Sequence, residues 1–96
     1  MTQIETSLGQ VQGLHNDGVD VFLGLPYAAP PVGSRRWLAP APAPAWTGTY
    51  DATRYPNICP QPPTEQEIMI GREPGAESED CLYLNIYTPG ADSKPR

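Results

Sequence analysis

The chain has 96 residues, of which only 17 are Leu, Ile, Val or Phe while 22 are Pro or Gly, so it has little material for an apolar core of its own. Its net charge of −5 and its six scattered basic residues exclude a nucleic-acid partner, because binding to phosphates needs clustered Lys and Arg. The sequence has no run of about 18 apolar residues, which excludes a membrane-spanning helix.

The N-terminal stretch MTQIETSLGQ has neither a basic segment nor an apolar segment of the kind found in signal peptides. We therefore expect a cytoplasmic location, where a disulfide would be unusual.

Residues 3–25 predict a small antiparallel meander built from β-prone runs at 3–7, 10–14 and 19–25. The Asn16-Asp17-Gly18 cluster between the second and third runs is a strong hairpin signal. Alternation along the third strand predicts Val19, Val21 and Leu23 on one face, with Asp20 and Phe22 on the other.

Residues 26–58 predict an irregular, proline-rich wrap. The strings PYAAPPVG and APAPAPAW favour extended polyproline segments. Tyr27, Trp37 and Trp46 are candidate aromatic anchors that would fasten this wrap to the surface of a larger body. Further on, EQEIMI at residues 65–70 predicts a short helix that ends before Gly71, and the polar residues 90–96 predict a flexible tail.

Residues 82–88 predict a strand of a different kind. The string LYLNIY is apolar at nearly every position, which is typical of a strand buried on both faces in a mostly parallel α/β sheet. No βαβ partner for such a strand is present in the sequence. The strand therefore needs neighbours that these 96 residues do not supply.

Cys59 and Cys81 are the only cysteines. A disulfide between them would close the loop of residues 60–80 and stabilise the protein by roughly 3 kcal/mol. The residues alone leave this possibility open beside two free thiols. Without a CxxC motif or a second histidine, no zinc site is predicted.

No catalytic residue is predicted in this chain. His15, the only histidine, lies beside the expected hairpin turn and is interpreted as a solvated turn residue. No G-x-S-x-G nucleophile elbow surrounds any of the four serines, Ser7, Ser34, Ser78 and Ser93. No phosphate-binding loop is present either, and no cofactor is predicted.

Charged residues directly precede Trp37 and Cys81 in the sequence. Arg35 and Arg36 precede Trp37, while acidic residues at 77, 79 and 80 precede Cys81. Pairing of these charges across space and simple solubility both fit the pattern.

Several motifs together resemble the type-B carboxylesterase family, which includes the bacterial para-nitrobenzyl esterases and the cholinesterases. EDCLYLNIYTP at residues 79–89 is similar to the family's second signature. Further matches in the family's order are GQVQG at 9–13, VFLGLPYA at 21–28, PPVG at 30–33, Arg36-Trp37 with Pro40, WTG at 46–48, DAT at 51–53 and CPQ at 59–61. The resemblance extends over residues 9–89.

The resemblance implies an α/β fold, with residues 1–96 as the N-terminal piece of a single α/β-hydrolase domain. In this interpretation residues 3–25 form the small sheet, 26–58 the wrap, 59–81 a cysteine-bounded loop and 82–88 a strand of the central sheet. It also implies a serine carboxylesterase that hydrolyses small-molecule carboxylic esters with a Ser-His-Glu or Ser-His-Asp triad. That triad is expected outside this chain, on the remaining C-terminal polypeptide as its partner.

The resemblance also assigns two residue pairs. Cys59 and Cys81 correspond to a family disulfide, and Arg36 and Glu79 fall at the place of a structural salt bridge. One departure bears on the substrate. The loop between the cysteines has no aromatic residue, whereas cholinesterases hold a quaternary ammonium with a tryptophan there. A preference for choline esters is therefore not expected.

Two alternatives compete with the esterase interpretation. The prolines alone would also fit a free-standing interaction module that offers PYAAPP or APAPAP as polyproline ligands. The other alternative is a truncated fragment without function. The hairpin and the apolar strand argue against the interaction module, because polyproline ligands need neither.

Overall fold

The computed structural model describes residues 1–71 and 75–90. Five strands in this part form one sheet with the order β1-β2-β3-β5, and β4 pairs with β2 off this path. The strands are β1 (Thr2–Thr6), β2 (Gly9–Asn16), β3 (Val19–Pro26), β4 (Thr49–Asp51) and β5 (Tyr83–Thr88). One α-helix, α1 (Glu65–Ile70), lies between β4 and β5.

The predicted meander is confirmed. β1 pairs with β2, and β2 pairs with β3, both antiparallel. Asn16 faces Val19 across a two-residue turn, and its central residues Asp17 and Gly18 have φ values of 50° and 75°. Positive φ at both central positions is the requirement of the type I′ hairpin turn, which Asx-Gly sequences meet at low cost.

The predicted alternation of faces in β3 is wrong beyond Phe22. Phe22 and the next residue, Leu23, are both buried, because the pairing of β3 with β5 shifts register between Phe22 and Leu25. At this bulge Gly24 has a φ of 71°. Its N–H donates to Asn85 Oδ1 at 2.9 Å, and its carbonyl accepts from the Tyr50 hydroxyl at 2.6 Å. Side chains from two other segments therefore satisfy the backbone groups that the bulge leaves unpaired.

The core is small and lies against β2. Val11, Phe22 and Ala52 are almost completely buried, and Trp46 and Tyr50 pack partly buried against them. Ala52 follows β4, a strand that the sequence pattern did not predict. β4 runs parallel to β2, with Val11 opposite Tyr50.

Trp46 is the one predicted anchor that packs onto this core. Its indole N–H donates to the carbonyl of Gln10 at 2.8 Å, and its backbone N–H donates to the carbonyl of Leu8 at 2.9 Å. Its ring lies against that of Tyr50, with 5.0 Å between centroids. Trp46 thereby fixes the chain beside β2 just before β4 begins.

The other two predicted anchors contact little within this chain. Trp37 is 94% exposed and Tyr27 is 56% exposed. Trp37 follows the 3-10 turn Gly33–Arg35, with a φ of 66° that is uncommon for a bulky residue. This conformation leaves the indole in solvent. Its predicted role as an anchor is therefore not realised among the residues that the structure describes, and its docking onto a larger body stays a prediction.

The burial of residues 82–88 on both faces stays a prediction for a longer polypeptide, because the described residues leave this strand partly uncovered. β5 pairs antiparallel with β3 and lies at the end of the sheet among the described residues. Leu84, Ile86 and Tyr87 are 41%, 42% and 60% exposed. The described residues provide no layer that covers this strand, so its apolar side chains remain half in water.

The predicted helix is present as α1. Thr64 and Glu67 form a capping box at its start, and Gly71 ends it with a φ of 69°. No helix among the described residues is long and apolar enough to cross a membrane. Of the predicted tail at 90–96, residues 91–96 lie outside the described residues.

Candidate functional site

Two chain segments meet where the loop of residues 60–80 begins and ends, and we call residues 58–59 and 76–81 the cysteine neck. Ile58 and Glu77 form an isolated parallel bridge. The N–H of Ile58 donates to the carbonyl of Ala76 at 2.8 Å, and the N–H of Ser78 donates to the carbonyl of Ile58 at 3.1 Å. Backbone hydrogen bonds therefore hold the two ends of the loop together, and beside them Asn57 Nδ2 donates to the carbonyl of Asp80 at 3.4 Å.

The structure brings Cys59 and Cys81 together in the cysteine neck. Their side chains lie 3.2 Å apart, and both cysteines are free. Cys59 is exposed, whereas Cys81 is half-buried. The hydrogen bond with Cys59 raises the pKa of the Cys81 thiol, and burial and the carboxylates of Asp80 and Glu79 raise it further. The two cysteines are adjacent, and the disulfide between them stays a prediction.

Arg36 and Glu79 also meet, joining the wrap to the cysteine neck. Arg36 Nε lies 2.9 Å from Glu79 Oε1, with the two side chains 52% and 50% exposed. An ion pair so accessible to water contributes about 0–1 kcal/mol, so its main effect is to set the position of the wrap. A cavity of about 280 Å³ opens beside the pair, lined by Pro31, Arg36, Trp37, Pro60, Glu79 and Cys81.

Asp80 connects the cysteine neck to β5. It accepts a hydrogen bond from the Tyr83 hydroxyl on Oδ1 at 2.8 Å, and its own N–H donates to Ser78 Oγ at 3.0 Å. Burial, the hydrogen bond with Asp80 and the charge of that carboxylate raise the pKa of Tyr83 to about 12. This contact is not predictable from the sequence pattern, because a tyrosine three residues after an aspartate has no specific meaning without the turn between them.

A larger cavity of about 580 Å³ opens between the cysteine neck and β5. Its size is within the range of small-molecule sites. It is lined by Tyr55, Pro56, Asn57, Ile58, Cys59, Gly75, Cys81, Tyr83 and Asn85.

The cavity at the cysteine neck can accommodate a small ligand, but its lining has no nucleophile paired with a base. In the part of the chain that the structure describes, His15 bonds through Nδ1 to Asp20 Oδ1 at 2.6 Å, across the β2–β3 hairpin, and to no serine. His15 is exposed, in agreement with its interpretation as a solvated turn residue, and Asp20 is its partner there. Residues 1–71 and 75–90 contain no group of three or more His, Cys, Asp or Glu side chains that could hold a metal ion.

Comparison with known proteins gives matches over the entire chain. The model of the carboxylesterase family matches residues 1–96. The chain is 43% identical to a para-nitrobenzyl esterase of Bacillus subtilis over 91 residues, which cover 95% of this chain and 18% of that protein. It is 46% identical to a fumonisin B1 esterase of Sphingopyxis macrogoltabida over 84 residues, which cover 88% of this chain and 15% of that protein.

A solved structure of a Geobacillus stearothermophilus carboxylesterase at pH 6.8 superposes with a TM-score of 0.82 at 43% identity, over 100% of this chain and 18% of that one. The similarity confirms the predicted fold class, the N-terminal piece of an α/β-hydrolase. The chain spans less than a fifth of the length of these relatives. The match includes both proline-rich strings, which favours the esterase interpretation over a free-standing interaction module.

Proposed function

The chain belongs to the carboxylesterase family, and on this basis we propose that it forms the N-terminal part of a serine carboxylesterase that hydrolyses small-molecule carboxylic esters. The observation that carries the proposal is the match of all 96 residues to the family, at 43% identity to a para-nitrobenzyl esterase, within 18% of that protein's length.

In the proposed enzyme, a serine hydroxyl attacks the ester carbonyl and a histidine takes its proton, while an acidic residue orients the histidine. Backbone N–H groups stabilise the negative charge that develops on the carbonyl oxygen. These groups belong to the remaining polypeptide, because residues 1–96 contain no G-x-S-x-G motif. Among the described residues, the hydrogen bond of their one histidine is to Asp20 and not to a serine. The role of this segment is structural.

The exposed apolar side chains of β5 indicate how the segment would dock against the rest of the domain. Full burial of a side chain the size of Leu or Ile stabilises by roughly 1.5–3 kcal/mol. Leu84 and Ile86 are 41% and 42% exposed, so covering each with the remaining polypeptide adds roughly 1 kcal/mol. Trp37, at 94% exposure, offers a larger surface for the same contact. These three residues are proposed to dock against the rest of the α/β-hydrolase domain.

The loop of residues 60–80 is proposed to line the entrance to the active site. Two observations support this: the open cavity of about 580 Å³ at the cysteine neck, and the apolar, solvent-exposed side chains of α1. The loop has no aromatic side chain to hold a quaternary ammonium. Esters that carry a quaternary ammonium, such as choline esters, are therefore not the proposed substrates.

A covalent label tests the proposal. The complete polypeptide that carries this segment is treated with a para-nitrophenyl phosphonate, which reacts with activated serines, and hydrolysis of para-nitrophenyl acetate is followed in parallel. We expect activity that the reagent abolishes, with the adduct mapped by peptide mass spectrometry outside residues 1–96. Failure to hydrolyse the ester would contradict the proposed activity. An adduct on Ser7, Ser34, Ser78 or Ser93 would contradict the structural role.

A further inference from the structure

The two ends of the sheet differ in what they present to a partner. β5, at one end, carries the partly exposed apolar side chains of Leu84 and Ile86, which suit burial against the remaining polypeptide. β1, at the other end, alternates exposed Gln3 and Glu5 with half-buried neighbours, which is the pattern of a strand with one face in water. We propose that the free edge of β1 pairs antiparallel with the same edge of a second copy of the protein and so forms a symmetric dimer. This proposal does not depend on the ester hydrolysis proposed above.

The register of the sheet establishes which backbone groups of β1 face outward. The carbonyl of Gln12 accepts from the N–H of Ala52 at 2.8 Å, so Gln12 directs its backbone groups towards β4 and away from β1. Gln3 lies opposite Gln12. Directly opposed residues of an antiparallel pair either exchange hydrogen bonds or both turn away, so the N–H and the carbonyl of Gln3 point outward. The same holds for Glu5, opposite Gln10. Within the part of the chain that the structure describes, no strand pairs with that side of β1.

The sequence of β1, TQIET, is nearly a palindrome and is therefore complementary to itself. In an antiparallel pair centred on Ile4, each Gln3 faces the Glu5 of the other copy, Thr2 faces Thr6, and Ile4 faces Ile4. The outward backbone groups of Gln3 and Glu5 then exchange hydrogen bonds, and the glutamine amide can donate to the carboxylate. Ile4 packs partly buried against the core, so the pairing extends that core across the two copies.

Charge and polarity select this register over its neighbours. The outward groups of both strands stay opposed only when the register shifts by two residues. A shift one way puts Glu5 opposite Glu5, and like charges directly opposite each other are destabilising. A shift the other way puts Ile4 opposite Thr2 and loses the apolar contact. β1 also has no proline, lysine or bulge of the kind that blocks pairing at an edge, and its one charge faces an amide.

Sedimentation velocity of the complete polypeptide measures the association. A single pair of five-residue strands is a small interface, so we expect a dimer that dissociates on dilution. Gln3→Glu places carboxylates opposite each other and should weaken dimerisation roughly tenfold. The double variant with Glu5→Gln restores glutamine opposite glutamate, keeps the original net charge and should restore dimerisation. Glu5→Pro removes an outward N–H without removing a bond to β2, and should abolish the dimer while urea unfolding still shows a folded protein.

Disulfide cross-linking tests the register. Gln3→Cys and Glu5→Cys proteins are oxidised separately and as a mixture, and peptide mass spectrometry identifies the bridged positions. In the proposed pair these two positions face each other with about 5.5 Å between Cα atoms, which is within the reach of a disulfide. Like positions lie diagonally, about 7–8 Å apart. We therefore expect the mixture to form the bridge between copies and each variant alone to form several-fold less.

A complete polypeptide that stays monomeric at every concentration would overturn the proposal. If the amides of Gln3 and Glu5 are then also protected from exchange with solvent, the remaining polypeptide occupies this edge. A dimer that neither Gln3→Glu nor Glu5→Pro weakens would place the contact elsewhere and would also overturn the proposal. Equal bridging in the mixture and in the separate variants would refute the register.

Discussion

Gly13 in β2 provides the sharpest test of how this sheet packs. A Cβ atom at this position would lie 2.4 Å from the carbonyl oxygen of Val21 and 2.6 Å from Cδ1 of Phe22. Both distances are far below van der Waals contact, and the nearer atom belongs to the backbone of β3, which cannot rotate away. Gly13→Ala therefore forces β3 and the buried Phe22 ring to move. We expect a cost at or above the upper end of the usual range for overpacking, about 3 kcal/mol.

Gly18→Ala is the matched control for this substitution. Gly18 lies in the hairpin turn with a φ of 75°, and a Cβ there would meet nothing within 4 Å. Its cost is conformational only, about 1–2 kcal/mol. Urea unfolding of the complete polypeptide, followed by tryptophan fluorescence, gives both free energies. The reasoning is refuted if Gly13→Ala destabilises no more than Gly18→Ala does.

Four further substitutions, at three positions, test individual contacts through the free energy of unfolding. The folded-state pKa of Tyr83 is raised to about 12 from an ordinary value of 10. Its contribution to the free energy of unfolding is therefore complete below pH 10 and falls as the pH rises towards 12. This decline should be absent in Tyr83→Phe, and an identical decline in the variant would contradict the assignment. Arg36→Gln should cost no more than about 1 kcal/mol, because the Arg36–Glu79 pair is half-exposed. The cost should be smaller in about 1 M NaCl, which screens the pair. A larger cost that does not depend on salt would show that the pair is not a surface contact. Trp46→Phe should cost about 1 kcal/mol, because the indole N–H bond to the Gln10 carbonyl is lost. Trp46→Ala should cost about 2–3 kcal/mol, because the partly buried ring is lost as well. Equal costs of the two substitutions would contradict the packing role of the ring.

Local signals predicted the first part of the fold well. The Asx-Gly turn at Asp17-Gly18 is specified by its own residues, because few other sequences tolerate two successive positive φ values. The short helix α1 was also predictable from its own residues, since Thr64, Glu67 and Gly71 supply its caps.

Features that depend on contacts distant in sequence were missed. β4 is only three residues long, and it pairs with β2 because Trp46 binds Gln10 next to it. The bulge at Gly24 depends on Asn85, which is 61 residues away. A polar residue in an apolar strand gives no indication of which backbone group it will satisfy.

The candidate site was predicted from a different source. The pairs Cys59–Cys81 and Arg36–Glu79 came from the family resemblance, and the structure places both pairs in contact. Composition and spacing alone had left free thiols and solvated charges equally open. The hydrogen bond of Tyr83 to Asp80 has no counterpart in the sequence pattern, because it depends on the turn that follows the cysteine neck.

Complementation between two separate polypeptides tests the central claim most directly. Residues 1–96 and the remainder of the complete polypeptide are produced separately, and hydrolysis of para-nitrophenyl acetate is measured for each alone and for the two refolded together. The account predicts no activity from residues 1–96, little from the remainder, and recovery when both are present. Turnover by residues 1–96 alone, or full activity of the remainder without them, would contradict a structural role for this segment in a serine carboxylesterase.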